Sequence, residues 1–418
     1  MEWRNWSGSQ RCVPARVLEP GTRDEVARAV AEGPVRVAGA GHSFSGGVLT
    51  DGTLLRLDAL DRVLAVDGER VRVEAGIRLH ALARELLARG LAMPNLGDID
   101  VQSLAGALST GTHGTGARLP ILSAQVESVE LVLADGSERV LDAGEELLAA
   151  RVSLGALGVV VAVTLRCVPA FRLHGVDAPM PLDDVLSTLQ QRADAHDHFE
   201  FWTFPHSDIA LTRTNDRTED APRGPGRVRA YASDVVLDNY ALYAVSRVAR
   251  AFPRAIPRLN RFASGAASGR ERVDWSHAVF ASPRLVRFEE MEYSVPRERA
   301  AEAVDAVKAI LERHPVSFPI ELRFVRGDDA LLSPASGRDS AYLAIHLFEG
   351  MPYEAPFREV EALLSSDFEG RPHWGKRSFL SAAELAPRYP GWGAFQRVRR
   401  ELDPEGRFAN PWIRDVLG

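Results

Sequence analysis

Two glycine-rich loops near the start of the chain constrain its fold more than any other feature. The first, VRVAGAGHSFSGG at 35–47, continues a predicted strand, and the second, DVQSLAGALSTGTHGTG at 100–116, holds four glycines. Glycines let the backbone N–H groups approach and bind an anion closely. Two such loops in one domain predict an extended anionic ligand, such as the pyrophosphate of a dinucleotide, held from two sides.

The first loop differs from the Rossmann pattern G-x-G-x-x-G, because Phe44 stands where that pattern has its third glycine. By itself the loop is equally consistent with an ordinary turn after a strand, since glycine turns are common. His42 lies in the middle of the loop, and a neutral imidazole adds little to the binding of an anion. The histidine therefore needs a separate explanation.

Alternating and helical patterns divide the chain into two α+β regions. In the first, the turn dipeptides Asp67-Gly68 and Asp135-Gly136 each join two strands of alternating polarity. A helix is predicted with Thr22 or Asp24 near its start and Gly33 at its end, and RLHALARELLARG also has helical spacing. The second region begins near PAFRLHG and has strands in LVRFEEMEYSVP, FPIELRFVRG and SAYLAIHLFEG. A length of 418 residues also favours two domains.

Composition and charge exclude several classes of protein. The formal net charge of −7 argues against a general nucleic-acid binder. Cys12 and Cys167 are the only cysteines, too few for a disulfide framework and without metal-site spacing, so we expect no metal. No apolar run is long enough for a transmembrane segment, and the N-terminus lacks the apolar core of a signal peptide. We therefore expect a cytoplasmic protein.

Seven segments together resemble one family over nearly the whole chain. They are NWSGSQ, AGAGHSFSG, GDIDVQSLAGALSTGTHGTG, RFEEMEYSVP, ELRFV, RPHWGK and LDPEGRFANPWIRDVLG. The chain resembles the vanillyl-alcohol-oxidase-type FAD flavoproteins, and within them the aldonolactone and alditol oxidoreductases. It is most similar to the bacterial L-gulono-1,4-lactone dehydrogenase and D-arabinono-1,4-lactone oxidase group.

The resemblance implies an α+β, two-domain FAD-binding fold of the vanillyl-alcohol-oxidase (PCMH) type. The FAD-binding domain would cover residues 1–170, and an α+β substrate (cap) domain would cover 171–380. A C-terminal segment, 381–418, would return to the FAD-binding domain.

The resemblance also offers a role for His42. In many members the histidine of the GHS motif is joined covalently to the 8α-methyl group of the flavin, and an imidazole nitrogen is nucleophilic near neutral pH. The other residues implied to hold FAD are Gly39, Ala40, Gly41, Ser43 and Phe44 on one side, and Ser103, Gly106, Thr110, Gly111, His113 and Gly114 on the other. For His113, a structural role in the loop and direct contact with FAD remain equally open.

Glu321 and Arg323 lie two residues apart in a predicted strand and therefore face the same side. The apolar residues between and beside them point to the other side. From the pattern alone, the Glu/Arg face is equally consistent with solvent and with a cavity. The resemblance favours the cavity, because similar residues line the substrate pocket of the family.

Two further candidates come from later motifs. His346 lies in a strand of apolar residues, where a lone histidine is usually structural, but relatives place a substrate-contacting histidine here. Alditol oxidases tend to have a small hydroxyl residue two positions on; Phe348 stands there instead and favours a lactone over an open-chain polyol. Lys376 ends the HWGK motif, whose lysine reaches the flavin and substrate in relatives. The chain has only one other lysine, Lys308.

The resemblance implies an FAD-dependent oxidoreductase that oxidises a hydroxyl of an aldono-1,4-lactone of the L-gulono or D-arabinono type. A hydride would pass from the hydroxyl-bearing carbon to flavin N5, and oxygen or another acceptor would reoxidise the flavin. His346 would take the hydroxyl proton, and Arg323 and Lys376 would stabilise developing negative charge. Glu321 and Ser103 would orient substrate hydroxyls.

Three alternative functions remain open from the sequence: an alditol oxidase producing hydrogen peroxide, a non-catalytic flavoprotein, and a membrane-bound oxidoreductase of lipid-linked sugars. The helix YALYAVSRVARAFPRAIPRLNRF bears on the last, because its arginines alternate with apolar residues. That pattern fits both a peripheral membrane contact and a cap-domain helix with a solvated basic side. We expect a monomer.

Overall fold

The structure is a computed structural model that describes residues 2–224, 238–266, 268–282 and 284–418. Its first part is built on two main sheets. Its strands are β1 (Trp3–Arg4), β2 (Arg11–Cys12), β3 (Arg16–Leu18), β4 (Val35–Ala38), β5 (Thr53–Arg56), β6 (Val63–Asp67), β7 (Arg70–Glu74), β8 (Leu91–Ala92), β9 (Val126–Val132), β10 (Glu138–Leu141), β11 (Val159–Arg166) and β12 (Val168–Pro169). Its helices are α1 (Arg23–Ala31), α2 (Leu79–Leu87), α3 (Leu104–Ser109) and α4 (Gly144–Arg151). The main sheets have the orders β3-β5-β4, which is parallel, and β10-β9-β11-β7-β6, which is antiparallel.

Both predicted hairpins are confirmed. β6 pairs with β7 across Gly68, and β9 pairs with β10 across Gly136. The two glycines have φ angles of 58° and 83°, which glycine adopts without the steric cost that a Cβ would impose. Helix α1 begins after Thr22 as predicted. The Thr22 hydroxyl accepts the N–H of Glu25, and the Glu25 carboxylate accepts the N–H of Thr22.

An eight-stranded antiparallel sheet organises the second part. Its strands are β13 (Arg172–Pro181), β14 (His198–Thr203), β15 (Ile209–Thr218), β16 (Arg270–Trp275), β17 (Phe288–Pro296), β18 (Ile320–Val325), β19 (Ser340–Phe348) and β20 (Arg371–Pro372), in the order β16-β13-β15-β14-β18-β19-β17-β20. The helices of this part are α5 (Leu182–Ser187), α6 (Leu189–Ala195), α7 (Asp238–Ala251), α8 (Ile256–Gly265), α9 (Ser276–Phe280), α10 (Ala300–Leu311) and α11 (Glu354–Asp367).

The central strands of this sheet pack against helices on one face and line a cavity on the other. β17, β18 and β19 are buried along their whole length. Helix α10 packs on β17 and β18, and α11 packs on β17. The apolar residues of β18 that were predicted to point away from Glu321 and Arg323 are fully buried. The opposite face carries charged side chains, and these line a cavity rather than solvent.

The C-terminal segment forms α12 (Ala382–Leu385), α13 (Trp392–Leu402) and α14 (Pro411–Leu417) and contacts the first part of the chain. The buried guanidinium of Arg36 in β4 donates to the carbonyl oxygens of Phe408, Leu154 and Gly155. The bond from Arg36 to Phe408 links the C-terminal segment to the first part of the chain. The domain boundaries themselves stay a prediction. Within the described ranges, no helix has the length and apolarity needed to cross a membrane.

Candidate active site

A large cavity brings most of the predicted site residues together. Its volume is about 1330 Å³, above the roughly 300–1,000 Å³ of ordinary small-molecule pockets. Both glycine-rich loops line it, as do charged side chains of β17, β18 and β19. We call it the main cavity. Its size accommodates a dinucleotide together with a small substrate.

All the predicted residues of the first loop, 39–44, line the main cavity. The loop is held from below by the HWGK motif, since Gly375 O accepts the backbone N–H of Phe44 at 2.7 Å and the hydroxyl of Ser43 at 3.1 Å. Trp6 stacks on His42 with 5.4 Å between ring centroids. The segments quoted for the resemblance therefore meet in space, although they are far apart in sequence.

The two loops approach each other so closely that side chains would clash. A Cβ on Gly39, in the first loop, would lie 2.2 Å from the hydroxyl oxygen of Ser103 in the second. The second loop also packs tightly on the segment before it, because a Cβ on Gly114 would lie 2.3 Å from the carbonyl oxygen of Leu96. Such contacts leave room only for glycine. The result is a cradle walled by backbone, which fits the pyrophosphate-containing cofactor predicted from the sequence.

The second loop contributes less evenly than predicted. Ser103, Gly106, Thr110 and His113 line the main cavity. Gly111 and Gly114 are not among its lining residues; a Cβ on Gly111 would contact Pro334. These two glycines shape the loop from behind. Ser103 is the residue before α3, and its side chain lies against the first loop.

His42 is held as a neutral imidazole. Burial, with the nearby charges of Lys376 and Arg78, lowers its pKa to about 4. No hydrogen bond among the described residues engages its ring nitrogens. A neutral, unengaged imidazole at the edge of the cradle keeps a nitrogen lone pair available at neutral pH.

Glu321 and Arg323 face the main cavity and are both buried. Arg323 lies near three carboxylates: Glu321 at 2.5 Å, Glu200 at 3.0 Å and Asp98 at 3.4 Å. Even so, Glu321 Oε1 and Arg323 Nε make no well-directed hydrogen bond to any described residue. Both atoms are ion-paired but lack a well-directed hydrogen bond, so Glu321 Oε1 can accept one from a polar ligand in the cavity and Arg323 Nε can donate one.

Asp98 and Glu200 were missed by sequence reasoning. Glu200 lies opposite Arg323 on the neighbouring strand β14, and burial, with the charge of Glu321, raises its pKa. Burial acts against the charged form of Asp98, but Arg323 and Arg284 outweigh it and lower the pKa of Asp98. Glu200 therefore holds a proton more readily than Asp98 does.

A second charged cluster surrounds His346 and Lys376. Glu290 Oε2 lies 2.5 Å from Lys376 Nζ, and Glu290 Oε1 lies 3.3 Å from His346 Nε2. Glu290 and His346 are direct cross-strand partners of β17 and β19. Burial opposes both positive charges, but Glu290 outweighs it and raises the pKa of His346 and of Lys376. The three groups therefore act as one buried ionic unit.

Glu292, two residues along β17, lies beside His113. His113 Nε2 lies 3.2 Å from Glu292 Oε1, and His113 Nδ1 lies 2.8 Å from Gly114 O. Because His113 also lines the main cavity, it combines the structural role with a place at the ligand surface. RFEEMEYSVP was quoted for the resemblance, and its glutamates at alternate positions were the signal that could have assigned Glu290 and Glu292.

Among the other residues of the RPHWGK and SAYLAIHLFEG segments, His373 lines the main cavity, whereas Trp374 and Phe348 do not. Trp374 donates its indole N–H to Leu332 O. His373 Nδ1 accepts the N–H of Gly375, and burial lowers the pKa of His373 to about 3. Phe348 does not line the main cavity but packs on Phe318, which does. Phe348 therefore influences the pocket through its neighbour.

One group among the described residues has a spacing that fits a metal ion: His113, Glu292 and His373, with ligand atoms within 4.8 Å of one another. Its hydrogen bonds argue for another role. His373 Nδ1 accepts a backbone N–H, which leaves the proton of a neutral ring on Nε2. His113 faces acceptors from both nitrogens. We therefore treat the group as a hydrogen-bonded network.

Two family models match the sequence. The D-arabinono-1,4-lactone oxidase model matches residues 163–416, and the FAD binding domain model matches residues 14–142. The chain is 44% identical to L-gulono-1,4-lactone dehydrogenase of Mycobacterium tuberculosis, over 100% of this chain and 99% of that protein. It is 34% identical to L-gulonolactone oxidase of Mus musculus, over 100% of this chain and 98% of that protein.

Among solved structures, cholesterol oxidase from Brevibacterium sterolicum aligns with a TM-score of 0.83 at 18% identity, over 100% of this chain and 96% of that one. At this identity the likeness concerns the fold alone. Together with the FAD binding domain match, it confirms the predicted α+β FAD-binding fold of the vanillyl-alcohol-oxidase type.

Proposed function

The chain belongs to the D-arabinono-1,4-lactone oxidase family of FAD-dependent enzymes, and from this we propose that it oxidises a hydroxyl-bearing carbon of a sugar-derived aldono-1,4-lactone. The L-gulono and D-arabinono lactones are the substrates we favour. The observation that carries the proposal is that one cavity is lined both by the Glu321–Arg323 ion pair, which has atoms without a well-directed hydrogen bond, and by the His346–Glu290–Lys376 unit.

The residues present fit FAD. The backbone cradle between residues 39–44 and Ser103 would hold its pyrophosphate through backbone N–H groups. The glycine at position 39 is needed there because a Cβ would clash with Ser103. When bound, FAD supplies the hydride acceptor for the reaction. The wall opposite the loops, formed by β17, β18 and β19, would then bind the lactone.

His346 is the base in this proposal. Its Nδ1 lies 3.4 Å from Pro319 O, and its Nε2 lies near Glu290. In its neutral form, the imidazole accepts the proton of the substrate hydroxyl, and the Glu290 carboxylate stabilises the imidazolium that forms. Glu290 thus makes His346 a stronger base than a buried histidine would otherwise be.

Lys376 and Arg323 supply positive charge on two sides of the substrate. Arg323 is buried and Lys376 is half-buried, so water screens the field of Lys376 more than that of Arg323. They stabilise the oxygen that gains negative charge as the proton leaves. The Glu321 carboxylate accepts hydrogen bonds from the remaining hydroxyls, and the Ser103 hydroxyl can donate to them or accept from them. This arrangement favours a small, hydroxyl-rich ligand.

We further propose that His42 is joined covalently to the flavin. The neutral ring at the edge of the cradle supports this, because the bond requires a free nitrogen. Acid-precipitated wild-type protein should retain its yellow colour, and its intact mass should exceed that of the chain by one FAD. A His42→Ala variant should release all its flavin on precipitation. Release of all flavin from freshly purified wild-type holoprotein would disprove the bond.

Anaerobic mixing of the holoenzyme with lactones and polyols tests the substrate. L-gulono-1,4-lactone or D-arabinono-1,4-lactone should bleach the flavin much faster than xylitol. Faster bleaching by xylitol would instead identify an alditol oxidase, and no bleaching by any of them would favour a non-catalytic flavoprotein. Admission of oxygen or of a redox dye to the reduced protein then separates an oxidase from a dehydrogenase.

The electron acceptor, the oligomeric state and the location in the cell belong to the same proposal. We propose reoxidation by oxygen or another acceptor, a monomer, and a cytoplasmic protein. Light scattering after size exclusion checks the oligomeric state, since a dimer would have twice the 45.7 kDa of the chain. Fractionation of the native cells, with holoenzyme activity as the marker, checks the location.

A further inference from the structure

The outward side of helix α7 has the residue spacing of a buried helix face. Six exposed positions follow the pattern i, i+3, i+4, i+7, i+8, i+11 and are Tyr240, Tyr243, Ala244, Arg247, Val248 and Ala251. Of these, Tyr243 also packs edge-on against Phe348 of β19. Five of these six are apolar or aromatic, as on the core side of an amphipathic helix. Yet the core side of α7 is already formed by Ser246 and Ala249, both 0% exposed. The helix therefore has a second apolar side.

This side continues onto the next helix and forms an exposed cluster. Phe252 at the end of α7 is 66% exposed, and Phe262 in α8 is 72% exposed. Ten large hydrophobic residues are exposed in the part of the chain that the structure describes, and five of them lie within 240–262. Isolated exposed hydrophobics are ordinary, but clusters mark interaction surfaces. We call this cluster, with the arginines between its members, the helical face.

The charge of the helical face has one sign. From residue 239 to residue 269, the only charged side chains are arginines: Arg247, Arg250, Arg254, Arg258 and Arg261. Arg250 donates to a backbone carbonyl and Arg247 to the hydroxyl of Tyr243. None of the five is in an ion pair with another described residue. Five positive charges thus follow one another along α7, α8 and the turn between them, in a chain whose net charge is −7.

The main cavity reaches the helical face. Phe262 lines the cavity although it is largely exposed, so it stands at an opening. Leu242 and Val245, on the inner side of α7, line the same cavity. Whatever binds the helical face therefore lies next to an entrance of the proposed active site.

We propose that the helical face docks the protein on the surface of an anionic lipid bilayer. Aromatic rings would sit among the headgroups, where their amphipathic character suits them. The arginines would contact lipid phosphates while their aliphatic stems cover apolar surface. The proposal does not depend on the substrate, because it rests on the exposure and charge of α7 and α8 alone. It selects the membrane-surface alternative for the arginine-rich helix.

Flotation of the purified holoprotein with lipid vesicles tests the proposal. Vesicles of phosphatidylcholine containing about one-third phosphatidylglycerol should carry the protein at low salt, and pure phosphatidylcholine vesicles should not. High salt should release it. Absence of binding to the anionic vesicles at low salt, or equal binding to both kinds, would overturn the proposal.

Two double variants separate the arginines of the helical face from the general charge of the protein. Arg254→Gln with Arg258→Gln should weaken binding about 25-fold, since each arginine near an anionic surface contributes about fivefold. Arg11→Gln with Arg400→Gln, which removes the same charge from exposed positions elsewhere, should leave binding unchanged. Equal effects of the two pairs would show attraction by general charge and would overturn the proposal.

The apolar contribution has its own matched pair. Val248→Ser with Phe252→Ser should weaken binding at least tenfold, whereas Val13→Ser with Val140→Ser should not, although those valines are 69% and 58% exposed. All four double variants should retain bound flavin, which shows that they fold. Sedimentation that reveals a wild-type dimer broken by Val248→Ser with Phe252→Ser would assign the helical face to a second copy of the chain, and would overturn docking on lipid.

Discussion

Replacement of Lys376 by arginine tests whether the ammonium group takes part in the chemistry or only balances charge. Lys376 Nζ lies 2.5 Å from Glu290 Oε2, inside a buried cluster that also holds His346. An ammonium is a compact point charge, whereas a guanidinium is broad, planar and able to bind a carboxylate through two nitrogens. The variant keeps the positive charge but changes its position and its grip on Glu290.

We expect a large loss of rate for two structural reasons. The guanidinium would occupy space at the substrate wall, and its two-point contact would draw the Glu290 carboxylate away from His346, now 3.3 Å distant. Loss of one positioned electrostatic partner costs about a hundred- to thousandfold in rate, or about 2.7–4 kcal/mol of transition-state stabilisation. Flavin attachment should persist, because the net charge around Glu290 is unchanged.

The quantity to measure is the anaerobic rate of flavin reduction at saturating lactone, because it isolates hydride transfer from reoxidation. The chain supplies a matched control in Lys308, its only other lysine. Lys308 Nζ lies 2.8 Å from Glu312 Oε1, one helical turn away on α10. Lys308→Arg makes the same substitution in a lysine–glutamate pair that does not line the main cavity.

Lys308→Arg should reduce its flavin at the wild-type rate. Acid precipitation and the thermal midpoint of unfolding, measured for both variants, establish that fold and cofactor are retained. If Lys376→Arg reduces its flavin within about threefold of wild type, far below the expected effect, Lys376 only neutralises Glu290. The assignment of this lysine to the catalytic unit would then be wrong.

Two further predictions concern the cradle and the proposed base. Gly39→Ala would place a Cβ 2.2 Å from the hydroxyl oxygen of Ser103, so the two loops must move apart. The ratio of flavin to protein absorbance should fall, whereas Gly393→Ala, with nothing within 4 Å of the added Cβ, should not change it. An unchanged ratio in Gly39→Ala would contradict the cradle. The rate of flavin reduction should rise with pH as His346 loses its proton. Because Glu290 outweighs burial and raises the pKa of that histidine, Glu290→Gln should move the rise to lower pH. A rise that stays in place or moves to higher pH would exclude His346 as the base.

The sequence by itself determined the features that depend on neighbours along the chain. The hairpins at Gly68 and Gly136 were predictable because a tight turn needs positive φ. The start of α1 at Thr22 was predictable from its cap. The common direction of Glu321 and Arg323 followed from the period of a strand. Family motifs then identified the fold and the cofactor, since their residues are legible one segment at a time.

Only the tertiary structure decided which charges meet. Glu290 acquires its role because β17 lies beside β19 in the sheet, which places it opposite His346, while a separate loop brings Lys376 to its other oxygen. The three carboxylates around Arg323 come from β14, β18 and the segment containing Asp98. Such clusters are not predictable from local patterns, because a buried charge is stabilised by whichever opposite charge the packing brings within a few ångströms. The same holds for α7, whose apolar outer side resembles a core face in sequence and is exposed only because its inner side already fills the domain.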